Sequence, residues 1–353
     1  MKVQGHLKTY EIILTTKSPV YIGSGTEYSK KEYYYDRIHG RVHILNIPAM
    51  IALLCKKGLV DDYENYMLNS RYDLYQFFSK AKIIGSDLDG ITEYTADVGD
   101  ALVQNRTLAG IRQFIRDYNG KPYIPGSSLK GSLRTVILWK MISEEKKELN
   151  SDLKTKDFEK LYLNKLKLNS RGPQDEINSL MRGISISDSE AIDSHRMILT
   201  RKVDLTVNGI KHEINTIREA ISPMTTIRVI MTIDESIHSC IDIDFIKSAI
   251  KEYGRYYNET FQKSFHLPPD CTYESFEDCI VLGGGSGYFS KNIIYPLLGK
   301  PEAVKQVSAM MSRQFKAHRH ERDIALGISP HMLKCTEYQD RIYHYGICKV
   351  SIQ

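Results

Sequence analysis

The segment Tyr123-Ile124-Pro125-Gly126-Ser127-Ser128-Leu129-Lys130-Gly131-Ser132-Leu133-Arg134 constrains the chain more than any other. Extended residues run into a Pro-Gly turn, and helix-spaced apolar positions Leu129, Leu133, Val136 and Ile137 follow at once. A strand must therefore turn directly into a helix, with Ser127 and Ser128 at the expected capping positions. Such a junction exposes amide N–H groups at the positive end of the helix dipole, and Lys130 and Arg134 add two cations one turn apart. The segment reads as an anion site fit for a phosphate, or more blandly as an ordinary capped helix. The Gly126-x4-Gly131 spacing imitates a Walker A loop, but Ser132-Leu133 stand where the Lys-Ser/Thr pair belongs, which argues against a nucleoside triphosphatase.

Around this junction strands and helices interleave, so the expected class is α+β. Leu7–Thr16 reads as a strand that leads into the glycine turn Val20–Gly25. Lys30–Leu45 reads as a hairpin about Ile38-His39-Gly40, and the stretch from Pro48 to about Ser79 as helices. Phe114–Pro125 suggests a hairpin around Asn119-Gly120. Gly183–Asp188, the two runs flanking Ser222-Pro223, Cys279–Leu282 and Arg341–Ile352 read as strands. Asp244–Phe265 and Pro301–His320 read as helices, and the Lys- and Glu-rich Glu144–Asn169 as a solvated helix with a linker. No repeat of 20 to 50 residues is found, which excludes a solenoid.

Composition excludes several classes. With 353 residues, 48 Lys plus Arg and 43 Asp plus Glu, the net charge of +5 is too mild to prove nucleic-acid binding by itself. The six cysteines show no CxxC spacing, no leader pattern opens the chain, and no apolar run reaches membrane-spanning length. The expected compartment is the cytoplasm, with no membrane partner, no metal and no cofactor.

A second glycine cluster, Gly283-Gly284-Gly285-Ser286-Gly287, lacks the dinucleotide register because Tyr288 occupies the last glycine position. It would let a backbone approach an RNA strand closely, or serve as a loop. Basic residues sit beside aromatics in Arg112 with Phe114 and Arg116 with Tyr118, pairs suited to phosphate neutralisation and base stacking. His39 and His43 are candidate general bases for metal-free RNA cleavage, and Asp36 a candidate acidic group that more often caps a turn. His318 and His320 read as a solvated helix face. No Ser-His-Asp arrangement appears.

Taken together, Pro19–Gly25, Ile115-Arg116-Asp117, the Pro125–Arg134 run and Ile186-Ser187-Asp188-Ser189 resemble the RAMP superfamily of CRISPR proteins. The helical stretch, the length and the late glycine loop are most similar to the family of fifth Csm subunits of type III-A effector complexes. That resemblance implies a ferredoxin-like (RRM-like) fold with helical insertions and glycine-rich loops. It divides the chain into 1–205, carrying a helical insert at about 46–113, and a ferredoxin-like 206–353. It implies a non-catalytic subunit that binds CRISPR RNA and caps the filament at the 3′ end of that RNA. Support of 3′-end maturation in antiviral defence would follow, with the backbone RAMP subunit, the small subunit and trimming nucleases as partners. RNA contacts are implied at Gly126, Ser127, Ser128, Lys130, Gly131, Arg134 and Gly283–Gly287, with Arg112 and Arg116 added from their aromatic neighbours and with no catalytic residue. The alternative within the superfamily is a metal-independent endoribonuclease that processes repeat RNA. Asp36-Arg37-Ile38-His39-Gly40 does not reproduce the target-cutting motif of the backbone subunit.

Overall fold

The structure, a computed structural model, describes residues 5–69, 73–101, 110–145, 155–172, 175–237, 241–267 and 276–353. Cys240, Cys271 and residues 146–154 of the Lys- and Glu-rich segment lie outside the described residues. In chain order the first half contains β1 (Leu7–Thr16), β2 (Gly23–Tyr28), β3 (Tyr33–Asp36), β4 (Arg41–Leu45), α1 (Ile47–Lys57), α2 (Val60–Asn69), α3 (Leu74–Ala81), α4 (Ser86–Ile91), β5 (Thr92–Asp97), β6 (Ile111–Phe114), α5 (Gly126–Glu144), α6 (Thr155–Leu163) and β7 (Ile184–Ile186). The remainder contains β8 (Met197–Thr206), β9 (Lys211–Ile221), β10 (Thr226–Asp234), α7 (Ile243–Thr260), β11 (Cys279–Val281), α8 (Ile294–Leu298), α9 (Lys300–Gln314), α10 (Asp323–Leu326), β12 (Met332–Tyr338), β13 (Arg341–His344) and β14 (Ile347–Ile352).

The strands form two sheets, and the fold is a mixed α+β one. A five-stranded antiparallel sheet runs β11-β14-β1-β10-β7. A nine-stranded sheet runs β2-β6-β9-β8-β5-β4-β3, with β12 also on β8 and β13 on β12. The path branches because β5 meets β8 only at Asp97 and Ile198, leaving Arg201 to Thr206 free to pair with β12. Both sheets draw strands from both sides of residue 205, and the expected division at 205/206 falls inside β8.

Periodicity explains the layers. On β1 the buried Ile12 and Leu14 alternate with half-buried neighbours, as a strand with one face on a core requires. On α7, Ile246, Ala249, Ile250, Tyr253 and Tyr257 recur at three-and-four spacing and are buried. Asp242 caps that helix by accepting from the Phe245 amide at 2.8 Å, a contact typically contributing about 1 kcal/mol. The α5 and α7 helices pack on each other, and Trp139 meets the Tyr253 ring edge-on at 5.9 Å. Helices α1–α3 bury Leu54, Tyr66, Phe77 and Phe78 in a separate cluster under β4, so the inserted helical block has its own small core.

Several elements differ from expectation. The glycine-rich stretch after Ile22 is strand β2, paired with β6 across a register irregularity between Gly23 and Glu27 in which Gly25 takes a φ of 92°. The Asn119-Gly120 turn closes only an Arg116–Pro122 bridge, since β6 is committed to β2 and β9. The Pro301–His320 helix stops at Gln314, and short 3-10 turns follow in which His320 is buried. The closing Arg341–Ile352 run is two strands broken at Tyr345-Gly346, where Gly346 has φ 82° and a Cβ would sit 2.3 Å from the Leu282 carbonyl oxygen.

Candidate nucleic-acid interface

The strand-to-helix junction is present, but its amides are partly spoken for. Pro125 is the N-cap of α5 and contributes no side-chain bond, so Ser127 and Ser128 stand inside the first turn instead of capping it. The Gly126 amide donates to Asp188 Oδ1 at 2.8 Å, which places a carboxylate where a phosphate was expected. Gly126 itself is a packing requirement, because a Cβ there would lie 2.2 Å from the Ile186 carbonyl oxygen. Arg134 pairs with Glu159 at 2.8 Å, and Gly131 faces open space. Lys130 is half-buried, and burial lowers its pKa.

Ser132 ties this helix to the second glycine cluster by donating to the Val281 carbonyl at 2.8 Å, two residues before Gly283. The loop then folds against the Pro19–Gly25 segment, where the Gly284 amide donates to the Tyr21 carbonyl at 2.7 Å. Gly283 has φ 89°, and a Cβ on it would sit 2.3 Å from that same oxygen. Gly285 and Gly287 lie over cations: their Cβ atoms would meet Arg218 Nη1 at 2.3 Å and Lys334 Cγ at 2.5 Å. The three motifs singled out in the sequence thus converge on one place.

Under the loop, the large sheet carries a basic strip. Arg112 on β6 is in register with Arg218 on β9, which is in register with Thr200 on β8. Two residues further along β8, Lys202 faces the same way, and Lys334 on β12 is paired with Asp204. The guanidinium of Arg218 lies between the rings of Tyr21, 5.1 Å away, and Tyr345, 5.5 Å away. Arg218 is 7% exposed, and its Nε and Nη1 have no hydrogen-bond partner among the described residues. A buried donor left without an acceptor is costly, so Arg218 carries unmet hydrogen-bonding capacity.

The electrostatics agree. Burial lowers the Lys202 pKa and the nearby Lys334, Arg218 and Arg112 lower it further, with Asp204 opposing. Burial raises the Tyr21 pKa against the pull of Arg218 and Arg112, so its phenol stays protonated as a donor and stacking surface. Lys334 is held by Asp204 at 2.6 Å, and Lys202 lies 3.9 Å from the same carboxylate. Glu27 on β2, in register with Arg112, forms the acidic edge of the strip.

Other candidates sit apart. Arg116 bonds Glu219 at 3.0 Å and the Gly120 carbonyl at 3.0 Å, and stacks 4.0 Å over Tyr94, an internal arrangement. Asp36 accepts from the amides of Ile38 and His39 at 2.9 and 3.1 Å and from His39 Nδ1 at 2.6 Å, capping the β3–β4 turn. His43 is half-buried, with its Nδ1 3.3 Å from Thr92 Oγ1, and burial lowers its pKa. His320 is no solvated helix residue: with His331 it brackets the buried Asp323, the candidate ligand atoms of all three lying within 4.8 Å of one another. Sequence reading missed Arg218, Lys202 and Lys334, because only cross-strand register brings them together.

A family model described as the RAMP superfamily matches residues 13–288, and the chain belongs to that superfamily. RAMP membership implies an RRM-like fold, and the chain is homologous over its full length to Csm5 of type III-A CRISPR complexes. The protein "CRISPR system Cms protein Csm5" of Enterococcus italicus is 27% identical, with 98% of each chain covered. That of Mycobacterium tuberculosis is 25% identical, over 99% of this chain and 98% of the relative. Among solved structures, a chain of "Cryo-EM structure of Csm-crRNA-target RNA ternary complex in type III-A CRISPR-Cas system" superposes with a TM-score of 0.68 at 18% identity, covering 97% of this chain and 100% of that one. "Crystal structure of T.onnurineus Csm5" gives a TM-score of 0.61 at 16% identity, covering 96% and 99%. No helix among the described residues is long and apolar enough to cross a membrane.

Proposed function

We propose that this chain is the Csm5-type subunit of a type III-A CRISPR effector complex and binds CRISPR RNA without cutting it. In this reading it caps the filament at the 3′ end of the guide and supports 3′-end maturation by trimming nucleases, alongside the backbone RAMP subunit and the small subunit. The five-stranded sheet with α5 and α7 is taken as the ferredoxin-like core. The observation that carries the reading is Arg218, a nearly buried guanidinium with two donor nitrogens lacking a partner among the described residues, lying between two tyrosines beside Arg112, Lys202 and Lys334. Cations and aromatic faces that ignore base identity suit a protein that must hold guides of many sequences. Lys130 and the 283–287 backbone are the further contacts we assign.

The test is direct binding of single-stranded guide RNA by the purified chain and incorporation into the assembled complex. Arg112→Ala with Lys202→Ala should weaken binding about tenfold, the equivalent of about 1.4 kcal/mol, and yield complexes with untrimmed guides. Unchanged affinity and guide length would refute the reading. The exposed His39, held by Asp36, favours a second reading as a metal-independent nuclease. Site-specific cuts in repeat RNA in EDTA that vanish in His39→Ala would support that one instead.

A further inference from the structure

At one end of β8 and β12 the surface opens into a cavity of about 620 Å³, within the range that holds a small ligand. Its basic wall is Arg319 and Arg322, with the imidazoles of His318 and His331 beside them, and no Asp or Glu lines it among the described residues. The side chains of Arg319 and Arg322 are exposed and have no partner among the described residues. Val207 and Ile210, at the β8–β9 turn, contribute the apolar wall.

Asp323 fixes the imidazole in this wall. It is fully buried and accepts from His320 Nδ1 at 2.9 Å, Ser329 Oγ at 2.5 Å and His331 Nδ1 at 2.5 Å. Burial pushes its pKa up, but the hydrogen bonds from His331, Ser329 and His320 prevail and hold it below the ordinary carboxylate value. An ionised carboxylate only accepts, so both rings donate through Nδ1. That leaves His331 Nε2 as the ring atom available to a ligand in the cavity it lines.

Position supplies the ligand's identity. Lys202, Asp204 and Thr206 alternate on the same face of β8, and Thr206 lines the cavity. At about 3.3 Å per residue, the basic strip and the cavity are roughly 13 Å apart along one strand. We propose that the cavity holds one nucleotide of a single-stranded RNA leaving the basic strip. Its phosphate lies against Arg319 and Arg322, and its sugar or base against Val207, Ile210 and His331. The proposal rests on the RNA-binding reading of the strip and extends it.

The experiment uses a single-stranded RNA oligonucleotide carrying photoreactive 4-thiouridine at its 3′ end, with uridine monophosphate as competitor. The full chain should crosslink the terminal nucleotide to residues 206–210 or 316–333. Arg319→Glu with Arg322→Glu should abolish that crosslink and lower affinity at least fivefold, while the thermal midpoint is unchanged because both residues are exposed. His331→Gln, which keeps a polar group of similar reach, should reduce the crosslink without unfolding the chain. Crosslinks and affinity untouched by the charge reversal would overturn the proposal. Equal occupancy by uridine monophosphate would overturn the assignment to a strand in favour of a free nucleotide. The Arg112→Ala, Lys202→Ala variant separates the two levels: if it leaves affinity intact while the cavity variant lowers it, the strip reading fails and the cavity stands.

Discussion

The start of α5 and the strip beneath the 283–287 loop are both rich in glycine and cations, yet they are built for different ends. At the helix, Gly126 makes room for the Ile186 carbonyl, its amide is taken by Asp188, and Arg134 is paired with Glu159. At the strip, Gly285 makes room for the guanidinium of Arg218, whose Nε and Nη1 have no partner among the described residues. A glycine–cation motif can thus be paired in one place and leave donors unmet in another, and partner accounting distinguishes them.

The largest expected effect breaks the packing side of this contrast. Gly126→Val forces a side chain into backbone oxygens at 2.2 and 2.5 Å, and should destabilise the fold by about 3 kcal/mol or more in urea unfolding. A variant as stable as the parent would show that α5 and β7 do not need this approach. Next, Arg218→Ala should cut RNA affinity about tenfold, about 1.4 kcal/mol, whereas Arg134→Ala should change it less than about twofold. Reversal of that order in a titration would move the binding surface back to the helix.

A smaller effect sharpens the charge argument. Removing Arg112 and Lys202 together should flatten the slope of log affinity against log salt by about 1.4, from about 0.7 per phosphate contact on a single strand. An unaltered slope would mean that neither cation meets a phosphate.

The smallest effect at neutral pH concerns the support of the strip. His344, adjacent to Tyr345, is fully buried and pushed down to about 4, because burial disfavours its charged form. Its Nδ1 lies 3.0 Å from the Tyr345 carbonyl and its Nε2 3.1 Å from the Tyr257 hydroxyl, so the neutral ring is satisfied on both sides. The unfolded chain takes up this proton near pH 6.5 and the folded one only near about 4, so this stabilisation is present above 6.5 and is lost as pH falls toward 4. Urea midpoints measured across that window should decline, and His344→Gln should flatten the decline.

Local pattern exposed much of the fold. Richness in β-formers placed β1 at its observed bounds, Leu7–Thr16, and three-and-four spacing found α5 and α7 to within a few residues. Strands β2, β5, β8, β12 and most of β6 were missed because glycine and polar residues dilute their alternation, and much of their pairing comes from distant segments. The site was legible in part. Pro19–Gly25 and Gly283–Gly287 announce close backbone approach, but what they approach is Arg218, in the middle of a strand whose neighbours in sequence say nothing of it. Arg116 shows the converse: a cation next to an aromatic in the chain spends its charge on buried Glu219.

The central claim is tested most directly by mapping ultraviolet crosslinks between guide RNA and this chain in the assembled complex. The account predicts adducts at Tyr21 and within 283–288, lost in Arg218→Ala. Adducts confined to the Ser127–Arg134 turn, with none at Tyr21 or the glycine loop, would contradict it.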